Sequence, residues 1–299
     1  MRHDVTSQGA LAVTRSRVMD YLALAKPELT LLSVLTSLGG AYLAPSDSIP
    51  YGAMVHTLIG TLLVGAGAGA LNQYIERNSD ALMRRTESRP LPSRRIQPRD
   101  ALLFGIVVSV LGVLQLGLLT HPLAGSLAAV TLASYLFLYT PLKRVTPFAT
   151  VVGGFPGALP PAIGWAAVAG ELSVGAWSLF FILFFWQMPH FLSLAWMYRK
   201  DYARAGYKTL TVVDPTGQVA ARQILIYNLA LIPAAFVPTL LRILGPLYAL
   251  GALILSLGFL SQAIRLYRER TNVNARKLFY GSLVYLSLLV GLMILDRTL

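Results

Sequence analysis

Three oxygen-bearing side chains recur at four-residue intervals in the stretch Leu71-Asn72-Gln73-Tyr74-Ile75-Glu76-Arg77-Asn78-Ser79-Asp80. On a continuing helix Asn72, Glu76 and Asp80 share one face, about one turn apart. Such a stripe suits a hard cation such as Mg²⁺, which takes one or two carboxylates and completes its shell with water and phosphate oxygens. The plainer alternative is a helix end solvated by lipid headgroups, with Glu76 paired to a nearby arginine. Just downstream stand Arg84, Arg85 and Arg89. Guanidinium groups grip phosphate oxygens through a two-pronged fork, and adjacency to the stripe favours Arg85 and Arg89 for that task. Positive-inside anchoring explains the same arginines without a ligand.

Other groups stand further along. Tyr198-Arg199-Lys200-Asp201-Tyr202 leads to Lys208, and Asp201 is the only carboxylate there before Asp214. It can complete the metal shell or serve as a salt-bridge partner. Tyr139-Thr140-Pro141-Leu142-Lys143-Arg144 supplies a further basic pair. Trp186-Gln187-Met188-Pro189-His190-Phe191 places a histidine among aromatic rings. That fits either a packing hydrogen bond or ligation of haem iron. The run Gly153-Gly154-Phe155-Pro156-Gly157-Ala158-Leu159-Pro160-Pro161 must loosen any helix that contains it. Val64 to Ala70 alternates glycine with small residues, but no strand precedes it. Close helix packing, rather than dinucleotide binding, is its expected use.

Apolar runs must position these groups. Nine are long enough to span a bilayer, which takes about 20 residues each: 28–45, 51–73, 101–120, 122–140, 150–169, 175–197, 224–242, 244–264 and 277–295. The longest polar stretch, 74–100, reads as a loop. Residues 1–27 read as a cytoplasmic arm and 28–299 as an all-α integral membrane bundle of about nine transmembrane helices. The chain is 55% hydrophobic and 13% charged, about half the charge of a soluble domain. It has no cysteine, and its four histidines are too scattered for a zinc motif. Of its 25 lysines and arginines, only Arg242 and Arg297 fall on the far side of the spans. Positive charge stays in the cytoplasm, so the N-terminus is expected inside and the C-terminus outside. The net charge of +12 therefore points to topology, and nucleic acid is not an expected partner. A bacterial inner membrane is the expected location, with membrane lipid as the surroundings.

Taken together, Asn72-x-x-x-Glu76-x-x-x-Asp80 and Met83-x-Arg85-Thr86-x-x-Arg89-Pro90-Leu91 resemble the first aspartate-rich motif of the UbiA-type intramembrane prenyltransferases. The blocks around Tyr139–Arg144, Gly157–Trp165, Trp186–Phe191 and Asp201–Gly206 are similar to the haem-farnesylating branch of that family. Two positions depart from the pattern: Ala205 stands where the family's second motif often has an aspartate, and Ala149 where an asparagine is expected.

The resemblance implies a UbiA-type fold and transfer of a farnesyl group from farnesyl diphosphate to a vinyl group of haem B. Water then adds, giving haem O for haem-copper oxidases. It implies Mg²⁺ at Asn72, Glu76, Asp80 and Asp201, which also form the catalytic set. Arg85, Arg89, Lys143, Arg144, Arg199, Lys200 and Lys208 are implied to bind diphosphate, and His190, Trp186 and Tyr139 to bind haem. Haem B is a substrate in this scheme, not a resident cofactor. A haem A synthase or oxidase assembly proteins are the implied recipients. The rival readings are a prenyltransferase acting on a quinone precursor or chlorophyllide, and a polytopic transporter.

Overall fold

A computed structural model describes residues 17–297; residues 1–16, which hold most of the expected arm, lie outside it. Among the described residues the regular structure is helical. Helix α1 is Arg17–Leu24 and α2 is Pro27–Leu43, bent from it by 51°. Then come α3 (Tyr51–Asp80), α4 (Pro98–Leu119), α5 (Pro122–Leu142), α6 (Ala149–Ala169) and α7 (Val174–Met197). Two short helices, α8 (Arg199–Arg204) and α9 (Leu210–Val213), precede α10 (Gln218–Leu240), α11 (Pro246–Arg268) and α12 (Asn272–Leu295). Eight of these are long and apolar enough to cross a membrane, and α1 with α2 makes a ninth if the bent pair is one span.

The termini obey simple chemistry. Pro27, Pro98, Pro122 and Pro246 each open a helix, where a missing N–H costs nothing and φ is already set. The end of α3 differs from expectation. The helix does not stop near residue 73 but runs to Asp80, so the loop begins at Ala81. Glu76, Ser79 and Asp80 of this last stretch are buried, where basic partners hold them, and the backbone ladder continues through them.

Small residues bring backbones together. A Cβ on Gly40 would collide with the Pro161 carbonyl, and one on Gly164 with the Ser37 carbonyl, so α2 and the second half of α6 meet main chain to main chain. Gly67 likewise admits Ser109 and the Gly105 carbonyl of α4, which is the packing use expected for the glycine-alternating run. The break in α6 falls at Leu159, between Ala158 and Pro160. Leu103, Val107, Leu118, Leu250 and Ile254 present apolar surface outward, as lipid-facing helices do, while Trp165, Trp186 and Tyr248 fill the interior.

Two irregularities shape the site. Ser134–Tyr139 within α5 is a π-helical turn, closed by the Thr140 N–H and hydroxyl, both donating to the Tyr135 carbonyl. Pro141 comes next and has no N–H to give. The extra residue rotates the remainder of α5 by about 100° relative to an unbroken helix. Lys26, between α1 and α2, has a positive φ of 46°, a left-handed conformation that costs a non-glycine residue about 1–2 kcal/mol.

Candidate active site

The polar ends of α2, α3 and α5 converge on one cavity of about 340 Å³. Its mouth is lined by Lys26, Asn72, Glu76, Asp80, Arg85, Arg89, Lys143, Tyr202, Tyr207 and Lys208. Its depth is apolar, lined by Val64, Leu116, Ile163, Leu183, Trp186 and Phe191 among others. The acidic stripe lies on the buried face of α3, with Asn72 and Asp80 each 1% exposed and Glu76 8%.

Each member of the stripe has a cationic partner. The Lys26 ammonium donates to Asn72 Oδ1 at 2.6 Å, and the Asn72 amide donates to Thr140 Oγ1 at 3.3 Å. Lys143 Nζ lies 2.8 Å from Glu76 Oε1 and 4.4 Å above the Tyr139 ring. Arg89 Nη1 lies 2.8 Å from Asp80 Oδ2. The second oxygen, Asp80 Oδ1, is buried and has no hydrogen-bond partner. Burial pulls the Lys143 ammonium toward neutrality, but the Glu76 carboxylate overrides it and holds its pKa well above the ordinary lysine value.

Local structure explains these positions. The Gln73 amide donates to the carbonyls of Ala23 and Leu24 at 3.0 and 3.1 Å. It therefore pins the bend between α1 and α2 against α3, and the strained Lys26 comes directly after. Arg95 binds Asp20 at 2.8 Å and ties α1 to the loop after α3. The π-turn leads Tyr135 and Tyr139 into the cavity wall. Over the mouth, Met83 from one loop packs with Ala205, Tyr207 and Tyr202 from the other. Gly206, with φ of 74°, reverses the chain so that Tyr207 is buried, and the Lys208 N–H donates to the Lys143 carbonyl at 2.9 Å.

Of the residues singled out in the sequence, Asn72, Glu76, Asp80, Arg85, Arg89, Tyr139, Lys143, Trp186 and Lys208 line this cavity. Arg85 donates to the Tyr202 hydroxyl at 3.3 Å and lies over the Tyr198 ring at 4.9 Å. Five others are placed elsewhere. Asp201 pairs with Arg204 at 2.8 Å, one helical turn on, and is not among the lining residues. Arg199 stacks on Trp196 at 4.2 Å and donates to Asn272 Oδ1 at 2.8 Å, so it braces α7 against α12. Arg144 binds the Ser79 hydroxyl, behind the stripe. Lys200 is exposed. His190 is 5% exposed. Its Nδ1 bonds Ser282 Oγ at 2.7 Å and its ring stacks between Trp186 and Phe279. The Nδ1 contact, to a partner 92 residues away on α12, fixes the orientation of the His190 ring.

Of the four expected metal ligands, Asn72, Glu76 and Asp80 line the cavity. Among the described residues no cluster of three or more acidic, histidine or cysteine side chains exists, which leaves a mixed amide and carboxylate set. The unpartnered oxygen of Asp80, a residue that lines the basic mouth, fits a hard cation that shares its shell with phosphate.

Residues 33–289 match the UbiA prenyltransferase family. The chain belongs to that family. A protoheme IX farnesyltransferase from Solibacter usitatus (strain Ellin6076) is 50% identical over 287 residues, covering 93% of this chain and 98% of the relative. Among solved structures, a digeranylgeranylglyceryl phosphate synthase matches with a TM-score of 0.77 at 16% identity, over 94% of this chain and 98% of that one. A UbiA homolog from Archaeoglobus fulgidus bound to DMAPP and Mg²⁺ matches with a TM-score of 0.64 at 15% identity, over 92% and 99%. This UbiA family member is an integral membrane protein with the bundle expected of it.

Several lining residues escape a reading of the sequence. Lys26 stands there only as a topogenic charge of the arm. A lysine directly before the proline that opens the first span is the available signal, but its partner is 46 residues away. Tyr135 and Tyr207 have no distinguishing pattern.

Proposed function

We propose that the protein transfers a farnesyl group from farnesyl diphosphate to a vinyl group of haem B, with addition of water, giving haem O. The observation that carries this reading is the cavity itself, which joins a basic mouth around an acidic stripe to an apolar, aromatic interior. The full-length relative named protoheme IX farnesyltransferase supports the choice of haem as acceptor.

Asn72, Glu76 and Asp80 would hold Mg²⁺, which when bound supplies Lewis-acid neutralisation of the leaving diphosphate. Lys26, Arg85, Arg89, Lys143 and Lys208 bind the diphosphate oxygens and stabilise the charge that builds as the allylic C1–O bond breaks. The vinyl carbon bonds to farnesyl C1. The cation left beside the porphyrin takes a water oxygen, and a proton is released. Val64, Leu116, Ile163 and Leu183 keep the farnesyl chain dry until then, and the packed loops over the mouth exclude bulk water. Trp186, Phe191 and Tyr139 offer flat apolar surface to the macrocycle. We place the basic ends in the cytoplasm of a bacterial inner membrane, where the excess of lysine and arginine belongs.

The test is mass spectrometry of haem extracted after incubating purified protein with haem B, farnesyl diphosphate and Mg²⁺. The expected product is heavier by a farnesyl group plus water, and its formation stops on chelation. Diphosphate release with unmodified haem would replace haem by a quinone-type acceptor. Intact farnesyl diphosphate would replace the enzyme by a transporter.

A further inference from the structure

A second groove, of about 780 Å³, opens between α11 and α12 at the basic end of the bundle. It shares no residue with the catalytic cavity. Arg265, Arg276 and Lys277 line it. All three are exposed, and none has a carboxylate partner among the described residues. The side chain of Gln262 lies across Gly281, where any Cβ would strike its amide. Its Oε1 is buried without a hydrogen-bond partner. Below this polar end, Ile254 and Leu257 of α11 and Tyr280, Val284 and Leu288 of α12 are exposed. The α12 trio falls at i, i+4 and i+8, so it forms one apolar stripe running away from the cations along the helix.

We propose that this groove binds one acidic glycerophospholipid. The phosphate sits on Arg265, Arg276 and Lys277, a headgroup hydroxyl donates to the free Gln262 oxygen, and the acyl chains lie along the Tyr280–Val284–Leu288 stripe. Charge complementarity selects this occupant. Three cations with no carboxylate among them, above an apolar stripe at membrane depth, match an anionic head on a hydrocarbon tail. A zwitterionic lipid brings its own ammonium into the same cluster and is disfavoured.

Native mass spectrometry of the full chain, titrated in detergent with phosphatidylglycerol or phosphatidylcholine, tests this. The wild type is expected to retain one phosphatidylglycerol and to bind phosphatidylcholine at least tenfold more weakly. The double variant Arg265→Gln/Lys277→Gln should bind phosphatidylglycerol about thirtyfold more weakly, from about fivefold per cation. The control Arg268→Gln/Arg270→Gln removes equal charge from the same hairpin outside the groove, and should change affinity less than twofold. Farnesyl transfer in detergent should be unaltered in both, which also shows that they fold. Equal binding of the two lipids, or equal loss in groove and control variants, would overturn the proposal in favour of diffuse surface attraction. Displacement of the lipid by millimolar inorganic phosphate would overturn it in favour of a free anion. Unchanged lipid binding in the groove variant, with loss of a co-purifying protein, would assign the groove to that protein.

Discussion

At the scale of single residues, the site is a set of opposed charges held at hydrogen-bond distance. Asp80 is the most exacting of them. One oxygen is committed to Arg89 and the other is buried with no partner. Asp80→Asn keeps the volume and removes the charge. We expect farnesyl transfer to fall by at least about a hundredfold, the scale of losing one preorganised charge at a transition state. The Mg²⁺ dependence of farnesyl diphosphate binding should weaken in parallel, with the thermal midpoint in detergent little changed. Transfer at wild-type rate would remove Asp80 from the chemistry.

Lys26 makes a different prediction. Its side chain bonds a neutral amide and is paired with no carboxylate among the described residues, so an anionic ligand can claim it without breaking an ion pair. Lys26→Met should weaken farnesyl diphosphate binding by roughly tenfold or more, as expected for one charge-assisted hydrogen bond worth about 1.5–3 kcal/mol. Isothermal titration would read this directly, and unchanged affinity would reduce Lys26 to a structural plug. Lys143 is held cationic by Glu76. Its charge therefore persists up to and beyond the ordinary lysine value of 10.5. Diphosphate affinity measured from neutral to mildly alkaline pH should show no titration of this group, and Glu76→Gln should bring one into range. A fall in affinity in that window for the wild type, absent in Lys143→Met, would contradict the pairing.

Helices set these residues in place through a few close contacts. The seam between α2 and α6 depends on the missing side chains of Gly40 and Gly164. Gly164→Val must push the Ser37 carbonyl, and α2 with it, away from α6, and overpacking of this kind costs about 1–3 kcal/mol or more. The expected result is a lower thermal midpoint and poor recovery from the membrane. Gly258→Ala, on the open outer face of α11 with nothing within 4 Å, should behave as wild type. Equal stability of both variants would mean that the seam adapts.

The same scale shows what a sequence can and cannot reveal. The acidic stripe is legible because helical periodicity is local: Asn72, Glu76 and Asp80 share a face whatever surrounds them. The apolar runs are legible because a bilayer imposes a length. The π-turn at Ser134–Tyr139 is not, since it turns on where Thr140 and Pro141 leave a carbonyl without its usual donor. The inward position of Lys26 is not, because Gln73 reaches across from α3 to fix it. Asp201 and His190 look like ligands from residue type alone. The residue types do not reveal that Arg204, three residues on, pairs with the first and Ser282 on the last helix with the second.

Taken whole, the molecule is an asymmetric bundle whose basic loops pack over one end and whose sides are apolar. The chain has no cysteine, so a single introduced thiol reports its own side of the membrane. Ser48, in the loop between α2 and α3, and Glu269, in the turn between α11 and α12, are both exposed. In intact cells a membrane-impermeant maleimide should label Ser48→Cys and spare Glu269→Cys. The reverse pattern would invert the orientation drawn from the charge distribution.

The lining of the catalytic mouth has one more effect. Five basic side chains (Lys26, Arg85, Arg89, Lys143 and Lys208) stand there against two carboxylates, Glu76 and Asp80. That surplus matches the negative charge of a diphosphate, and it does not distinguish the ester that arrives from the inorganic anion left behind. Once the farnesyl chain has gone, the same grip persists on a leaving group with no hydrocarbon tail to draw it into the membrane. Turnover then waits on the anion escaping past the packed loops, so added inorganic diphosphate should act as a strong product inhibitor and the steady-state rate should rise with ionic strength before it falls.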